Sequence, residues 1–100
     1  MNTHPLTLLT IVSETLLKER LIHELREAGA KGFTITEASG EGSRQRRVSE
    51  ILGENIKIEV IVKQETADKI LTVLQKQFFP RYAVIAYLSD VQVVREEKYV

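Results

Sequence analysis

The residues with the clearest chemical potential lie together near the middle of the chain, in the stretch GEGSRQRR. Gly40 and Gly42 allow the backbone to turn tightly and to bring its N–H groups close to a ligand. Ser43 adds a hydroxyl donor, and Arg44 and Arg47 can each present a planar fork of donors to a phosphate, which lysine cannot match. The stretch therefore predicts an anion-binding loop.

The strength of such a loop is limited by the cost of ordering it. Two charge-assisted hydrogen bonds contribute about 3 to 6 kcal/mol, whereas ordering one residue costs about 1 to 2 kcal/mol. A small phosphate ligand would thus order a few residues at the base of the loop and leave the rest for a protein partner. On spacing alone, a solvated connection without a ligand is an equally good interpretation, because neither a Walker sequence nor GxGxxG is present.

Composition narrows the class of protein. The chain has 100 residues, of which 43% are hydrophobic and 28% charged, which predicts one globular domain over residues 1–100. The absence of cysteine excludes disulfides, thiolate metal sites and thiol chemistry. A net charge of zero argues against a nucleic-acid binder with a broad basic surface. No stretch approaches the length of a membrane span, so we expect a cytoplasmic protein.

The elements that must position the loop follow from hydrophobic periodicity. Core strands are predicted over 6–12, 32–38, 55–62 and 82–88, helices over 14–28 and 67–78, and a short edge strand over 91–94. Ser13 and Thr66 are expected to cap the helices, and Gly29 and Pro80 to end them. The order predicts an α+β, ferredoxin-like β-α-β-β-α-β sandwich with a long loop between strands 2 and 3.

The first and fourth predicted strands are apolar on both faces, whereas two helices can cover only one face of a four-stranded sheet. The second face needs another cover, and a chain this short has no spare element. We therefore expect the sheet to self-associate. Tyr82 and Tyr87, at the fourth strand, are expected to be core or interface aromatics, and Glu14, Lys18 and Arg20 are expected to lie on a solvated helix face.

Five stretches of the sequence together resemble those of a known family: LTIVSETLLKERL, GAKGFTI, GEGSRQRR, NIKIEVIV and YAVIAYL. Over nearly its whole length the chain resembles the PII-like signalling proteins, in particular the SbtB-type carbon sensors that partner a sodium-dependent bicarbonate transporter in cyanobacteria. Its most specific part is GAKGFT followed by GxGSRxxR. The resemblance implies a homotrimer in which adenine nucleotides bind between subunits, with the segment of about residues 39–53 as the T-loop.

The resemblance also assigns site residues. Gly40, Gly42, Ser43, Arg44 and Arg47 match the phosphate-binding base of the loop. Thr36 is expected beside the ribose and base, and the backbone of Val84, Ile85 and Ala86 beside the adenine. Arg46 falls at a position that the motif leaves variable.

The implied effectors are cAMP, AMP, ADP and ATP, with no permanently bound cofactor; a divalent metal accompanying ATP is left open. The implied output is control of the bicarbonate transporter through the T-loop, which would bring the protein to the membrane. Because Ser43 and Arg44 follow Gly42, where nitrogen-sensing PII proteins have a glutamine, sensing of 2-oxoglutarate is not expected.

Other functions remain as alternatives. A ferredoxin-like RNA-binding module has the same element order, but it needs exposed aromatic residues on its central strands, and LTLLTIV and NIKIEVIV contain none. A trimeric metal-tolerance-type protein needs clusters of His or carboxylate ligands, which the sequence does not suggest. A phosphoryl-transfer enzyme needs a nucleophile or base beside its arginines. We therefore expect a non-enzymatic protein, with slow nucleotide hydrolysis left open.

Overall fold

A computed structural model describes residues 2–39 and 55–100 of the chain. Its strands are β1 (His4–Glu14), β2 (Thr34–Ala38), β3 (Asn55–Val62) and β4 (Ile85–Val93). Its helices are α1 (Lys18–Glu27), after a 3-10 turn at Thr15–Leu17, and α2 (Gln64–Val73), continued by a π-helical turn at Leu74–Phe78. A 3-10 turn at Glu96–Lys98 follows β4. The predicted T-loop lies outside the described residues beyond Ser39.

The four strands form one sheet in the order β2-β3-β1-β4, with every neighbouring pair antiparallel. The long strand β1 is central and pairs with β3 over eight residues and with β4 over nine. With one helix between β1 and β2 and another between β3 and β4, this is the predicted ferredoxin-like sandwich. The fold prediction is therefore confirmed.

Both helices pack on the same face of the sheet. The buried side chains alternate along the strands and recur at helical spacing in α2, as the sequence predicts. They form a single cluster that includes Leu9, Ile11, Ile58, Val60, Leu21, Leu25, Ala67, Ile70, Leu74 and Phe78. This core fixes the sheet against the helices.

The two helix starts differ from the prediction. Ser13 is the buried penultimate residue of β1, and its hydroxyl donates to the carbonyl oxygen of Glu14 rather than capping a helix. Glu14 is 6% exposed at the end of β1, so its predicted place on a solvated helix face is wrong. Helix α2 begins at Gln64 after Lys63, two residues before Thr66. Strand β1 extends through Ser13, and helix α2 begins before Thr66, so neither residue lies at the helix start that its type suggested.

The end of α1 agrees with the prediction. Gly29 has φ of 98°, and its N–H donates to the carbonyl oxygen of Arg26 while that of Ala30 donates to Leu25. These two bonds form a Schellman motif, in which the residue of positive φ is normally glycine. The chain thereby turns from α1 toward β2.

The fourth strand is longer than predicted. It starts at Ile85 rather than residue 82, and it includes residues 91–93 of the segment predicted as a separate edge strand over 91–94. The reason is β1, which continues back to His4 and pairs Leu8 with Ser89, Thr7 with Asp90 and Leu6 with Val91. Ser89 and Asp90, the polar residues that separated the two predicted strands, are thus paired with β1 inside one continuous edge strand.

The outer face of the sheet, defined here as the face turned away from α1 and α2, carries its apolar side chains mainly on β1 and β4. These are Leu8, Val12, Ile85 and Tyr87, with Ile61 beside them on β3, whereas Thr34, Thr36, Lys57 and Glu59 make the β2–β3 side of the same face polar. Ile85 is 57% exposed and Tyr87 is 49% exposed. The two-sided character predicted for β1 and β4 is therefore present, and neither helix covers it.

A first prediction concerns the core. Leu74 is fully buried in the cluster, whereas Leu16 is 59% exposed. Leu74→Ala should lower the free energy of unfolding by about 2 to 5 kcal/mol, because it leaves a cavity as well as removing apolar contacts. Chemical denaturation followed by circular dichroism measures the loss. The matched control Leu16→Ala should stay within about 0.5 kcal/mol of wild type; equal losses in the two variants would contradict the packing described.

A second prediction isolates backbone strain. Neither Gly29 nor Gly32 has a heavy atom within 4 Å of an added Cβ, but of the two only Gly29 has a positive φ. Gly29→Ala should therefore cost about 1 to 2 kcal/mol in unfolding free energy, whereas Gly32→Ala should be neutral or slightly stabilising. Thermal and urea denaturation compare the pair. A Gly29→Ala protein as stable as Gly32→Ala would show that α1 ends without this motif.

Candidate functional site

The nine residues assigned to the site divide into two groups. Four lie in the described part of the chain: Thr36, Val84, Ile85 and Ala86. The loop-base residues lie outside it: Gly40, Gly42, Ser43, Arg44 and Arg47. The geometry of the site is therefore built from the strands that hold the loop and from the start of β4.

The two ends of the loop are held at one place in the sheet. Ala38, the last residue of β2, pairs with Asn55, the first residue of β3. Asn55 also pairs with Glu14 at the end of β1. The chain thus leaves the sheet from β2 and re-enters it in the adjacent strand β3, at the end of the sheet where β1 also ends.

Thr36 is an exposed residue of β2, two positions before that strand ends. It pairs with Lys57 of β3, and the two share the outer face of the sheet. Lys57 is half-buried and places a cation beside Thr36. Lys57 was not among the predicted site residues, although its place between Ile56 and Ile58 marks the polar side of an alternating strand.

Val84, just before β4, and Ile85 and Ala86, its first two residues, have different environments. Val84 is 6% exposed and joins the core, so only its backbone is available to a ligand. Ile85 presents its side chain on the outer face, and Ala86 is half-buried against the core. Among the described strands β4 pairs only with β1, which leaves backbone N–H and C=O groups along its other edge. This arrangement suits the main-chain role expected there.

One chain does not bring these two parts of the site together. Thr36, Lys57, Val12 and Ile85 form one continuous row across the outer face, because each pairs with the next. Thr36 and Ile85 are thus three strand spacings apart, or about 14 Å. They lie on opposite edges of the sheet, at the end from which the loop leaves.

The turn that precedes β4 is held by a residue of α1. Arg20 was expected on a solvated helix face, and its side chain is exposed, but its Nη1 donates to the hydroxyl of Tyr82 at 3.1 Å. Its guanidinium carbon lies 4.7 Å from the ring centre of Phe78. Spacing along the chain gave no signal for this contact, because 62 residues separate Arg20 from Tyr82.

The other charged side chains of the described residues either lie away from this region or do not form a group that could hold a metal ion. Within residues 2–39 and 55–100, no group of three or more His, Cys, Asp or Glu residues is arranged to hold a metal ion. The pKa of Glu97 is lowered by a hydrogen bond from its backbone N–H and by Arg95, after the far end of β4. No helix in the same two ranges is long and apolar enough to cross a membrane.

Comparisons with known proteins agree with this fold. A PII-like signalling protein from Thermus thermophilus is 55% identical, with all of both chains covered and a TM-score of 0.87. CPII from Thiomonas intermedia, bound to ADP and bicarbonate, is 31% identical over 99% of this chain and 98% of its own, also with a TM-score of 0.87.

A more distant likeness concerns the fold alone. The B. subtilis GlnK–ATP complex is 16% identical, with 91% of this chain and 85% of its own covered and a TM-score of 0.65.

Residues 6–98 match the family model described as nitrogen regulatory protein P-II. The chain therefore belongs to the P-II family.

Proposed function

We propose that this protein is a non-enzymatic regulator that senses adenine nucleotides in clefts between the subunits of a homotrimer. The observation that carries the proposal is the placement of Thr36 and Ile85 in one row but on opposite edges of the sheet. If the β2 edge of one subunit lies beside the β4 edge of the next, the two parts form one site. Assembly as a homotrimer fits the P-II family.

The apolar outer face supports the assembly part of the proposal. Ile85 and Tyr87 are exposed in the single chain, and large apolar side chains grouped on one sheet face typically mark an interaction surface. Packing subunits through this face removes the side chains from water and brings sheet edges of different subunits together. The same contact that stabilises the assembly would then complete each nucleotide site.

The ligand class is supported by the relatives. CPII from Thiomonas intermedia has been solved with ADP and bicarbonate and with ADP, AMP and acetate. ADP and AMP are thus the first candidates here, and bicarbonate is a candidate second ligand. ATP and cAMP belong to the proposal through the resemblance to SbtB-type sensors. Arg44 and Arg47 would hold the phosphates, and the backbone at the start of β4 would face the adenine.

The output proposed is control of a sodium-dependent bicarbonate transporter through the T-loop. A nucleotide can signal only if it interacts differently with two states of the protein. Binding at the loop base would favour one T-loop state over another, and only one of these states would dock on the transporter. The protein would then reach the membrane through that partner.

The nucleotide site is tested by isothermal titration with ADP, AMP, cAMP and ATP. Arg44→Ala and Arg47→Ala should each weaken ADP binding by about 10- to 150-fold, the loss of one charge-assisted hydrogen bond. Arg46→Ala, which removes the same charge from a position that the motif leaves variable, is the matched control and should stay close to wild type. Unchanged affinity in both site variants would contradict the assignment, and tighter binding of homopolymeric RNA would favour the RNA-binding alternative.

The assembly is tested at Tyr87. Tyr87→Glu places a charge on the outer face and should convert the trimer to monomers, because burying an unpaired carboxylate is costly. Size-exclusion chromatography with light scattering measures the mass, and ADP titration should show that binding is lost with the assembly. Leu16→Glu alters a comparably exposed apolar residue outside the sheet and should leave both properties unchanged. A Tyr87→Glu trimer that binds ADP normally would contradict an inter-subunit site built on this face.

A further inference from the structure

The turn between the π-helical segment and β4, residues 79–84, has few backbone hydrogen bonds of its own. Phe79 N–H donates to the carbonyl oxygen of Leu74, and Arg81 and Tyr82 N–H groups both donate to Phe78. Pro80 has no N–H to donate. All three bonds tie the turn to the end of the helix, so its path toward Ile85 depends on side-chain contacts.

Arg20 supplies a polar side-chain contact between this turn and α1, in addition to the apolar packing of Tyr82 and Val84 on the core. Its Nη1 donates to the Tyr82 hydroxyl at 3.1 Å, and its guanidinium carbon lies 4.7 Å from the ring centre of Phe78 and 5.5 Å from that of Tyr82. The two ring centres are 6.3 Å apart, with planes inclined by 48°. One cation therefore contacts both rings and one hydroxyl at the same time.

The same helix offers a comparison. Arg26, in the last turn of α1, has its guanidinium carbon 5.9 Å from the ring centre of Phe33. That contact ties α1 to the residue before β2, at the end of the sheet away from the loop. Arg20 is closer to its rings and adds a hydrogen bond, and the segment it holds leads directly into the expected adenine edge.

We propose that Arg20 is a positioning residue for nucleotide binding: through Tyr82 it holds the 79–84 turn in the conformation that presents the start of β4 to the ligand. This inference rests on the proposed function. Tyr82 is two residues before the buried Val84 and three before Ile85, so displacement of its ring changes the path by which the chain enters the strand. Arg20 itself need not touch the nucleotide.

The expected effect follows from populations. When only a fraction of molecules has the binding-competent turn, the apparent dissociation constant rises by the inverse of that fraction. Loss of a cation–π contact together with its hydrogen bond corresponds to a shift of about 3- to 30-fold in such an equilibrium. Affinity for ADP should fall by up to that factor, and by the full factor when the competent turn is the minor state. Stability should change little, because Arg20 is exposed.

The experiment uses the full chain and three variants. Arg20→Met keeps an apolar stem over Phe78 but removes the charge and the donor, and Tyr82→Phe keeps the ring but removes the acceptor. Arg26→Met is the matched control. Titration with ADP should show weaker binding in the first two variants and wild-type affinity in the third. The double variant Arg20→Met/Tyr82→Phe should lose less than the product of the two single losses, since both remove one contact.

A readout without nucleotide separates positioning from general destabilisation. Hydrogen exchange of the 79–86 segment should be faster in Arg20→Met and unchanged in Arg26→Met, while the thermal midpoints of both stay close to wild type. If the wild type binds ADP and Arg20→Met binds it with the same affinity, this inference alone is overturned. A wild-type protein that does not bind ADP would overturn the proposed function and this inference with it. The inference about Arg20 would also be overturned if Arg20→Met and Arg26→Met both lost affinity in proportion to a lowered thermal midpoint, because general destabilisation would then explain the weaker binding.

Discussion

The pairing of β1 with β3 on one side and with β4 on the other is the constraint on which the rest of the structure depends. It aligns Val12 with Lys57 and with Ile85, and the β2–β3 pair then extends the row to Thr36. A slip of one residue in either pairing would turn the apolar sets of the strands to the wrong faces. The core residues Leu9 and Ile11 therefore set the positions of site residues on both outer strands, from Ala86, which pairs with Ile11, to Thr36, two strands away from β1.

Much of this fold could be predicted because the informative residues act locally. The alternation of β3 and the helical stripe from Ala67 to Phe78 each depend on a periodicity within one element, and both were located correctly. The helix caps were wrong because a hydroxyl residue near a boundary is only a local preference. Ser13 lies in β1 instead, where pairing with Ile56 extends the strand through this position.

The site was harder to predict than the fold for a different reason. The loop motif consists of neighbouring residues, so anion binding could be predicted from the residue types and their spacing. The contact between Arg20 and Tyr82 joins two distant elements, and nothing in either segment distinguishes Arg20 from a surface charge until α1 and the turn are packed together. Likewise, the polar position of Lys57 was visible in the pattern, but its place beside Thr36 needed the register of β2.

The geometry also explains why a protein of this size would build its site from more than one copy. With both helices on one face of the sheet, Ile85 and Tyr87 stay exposed on the outer face, and the two outermost strands lie about 14 Å apart. No rearrangement within the described residues can close that distance without breaking the β1 pairings that hold the core. In the proposed trimer, association through the outer face would meet both needs at once, because it would bury Ile85 and Tyr87 and set one subunit's edge beside the next. A ligand bound in the proposed cleft would contact the loop base of one subunit and the β4 edge of another, and its binding would then depend on the assembly as well as on a single chain.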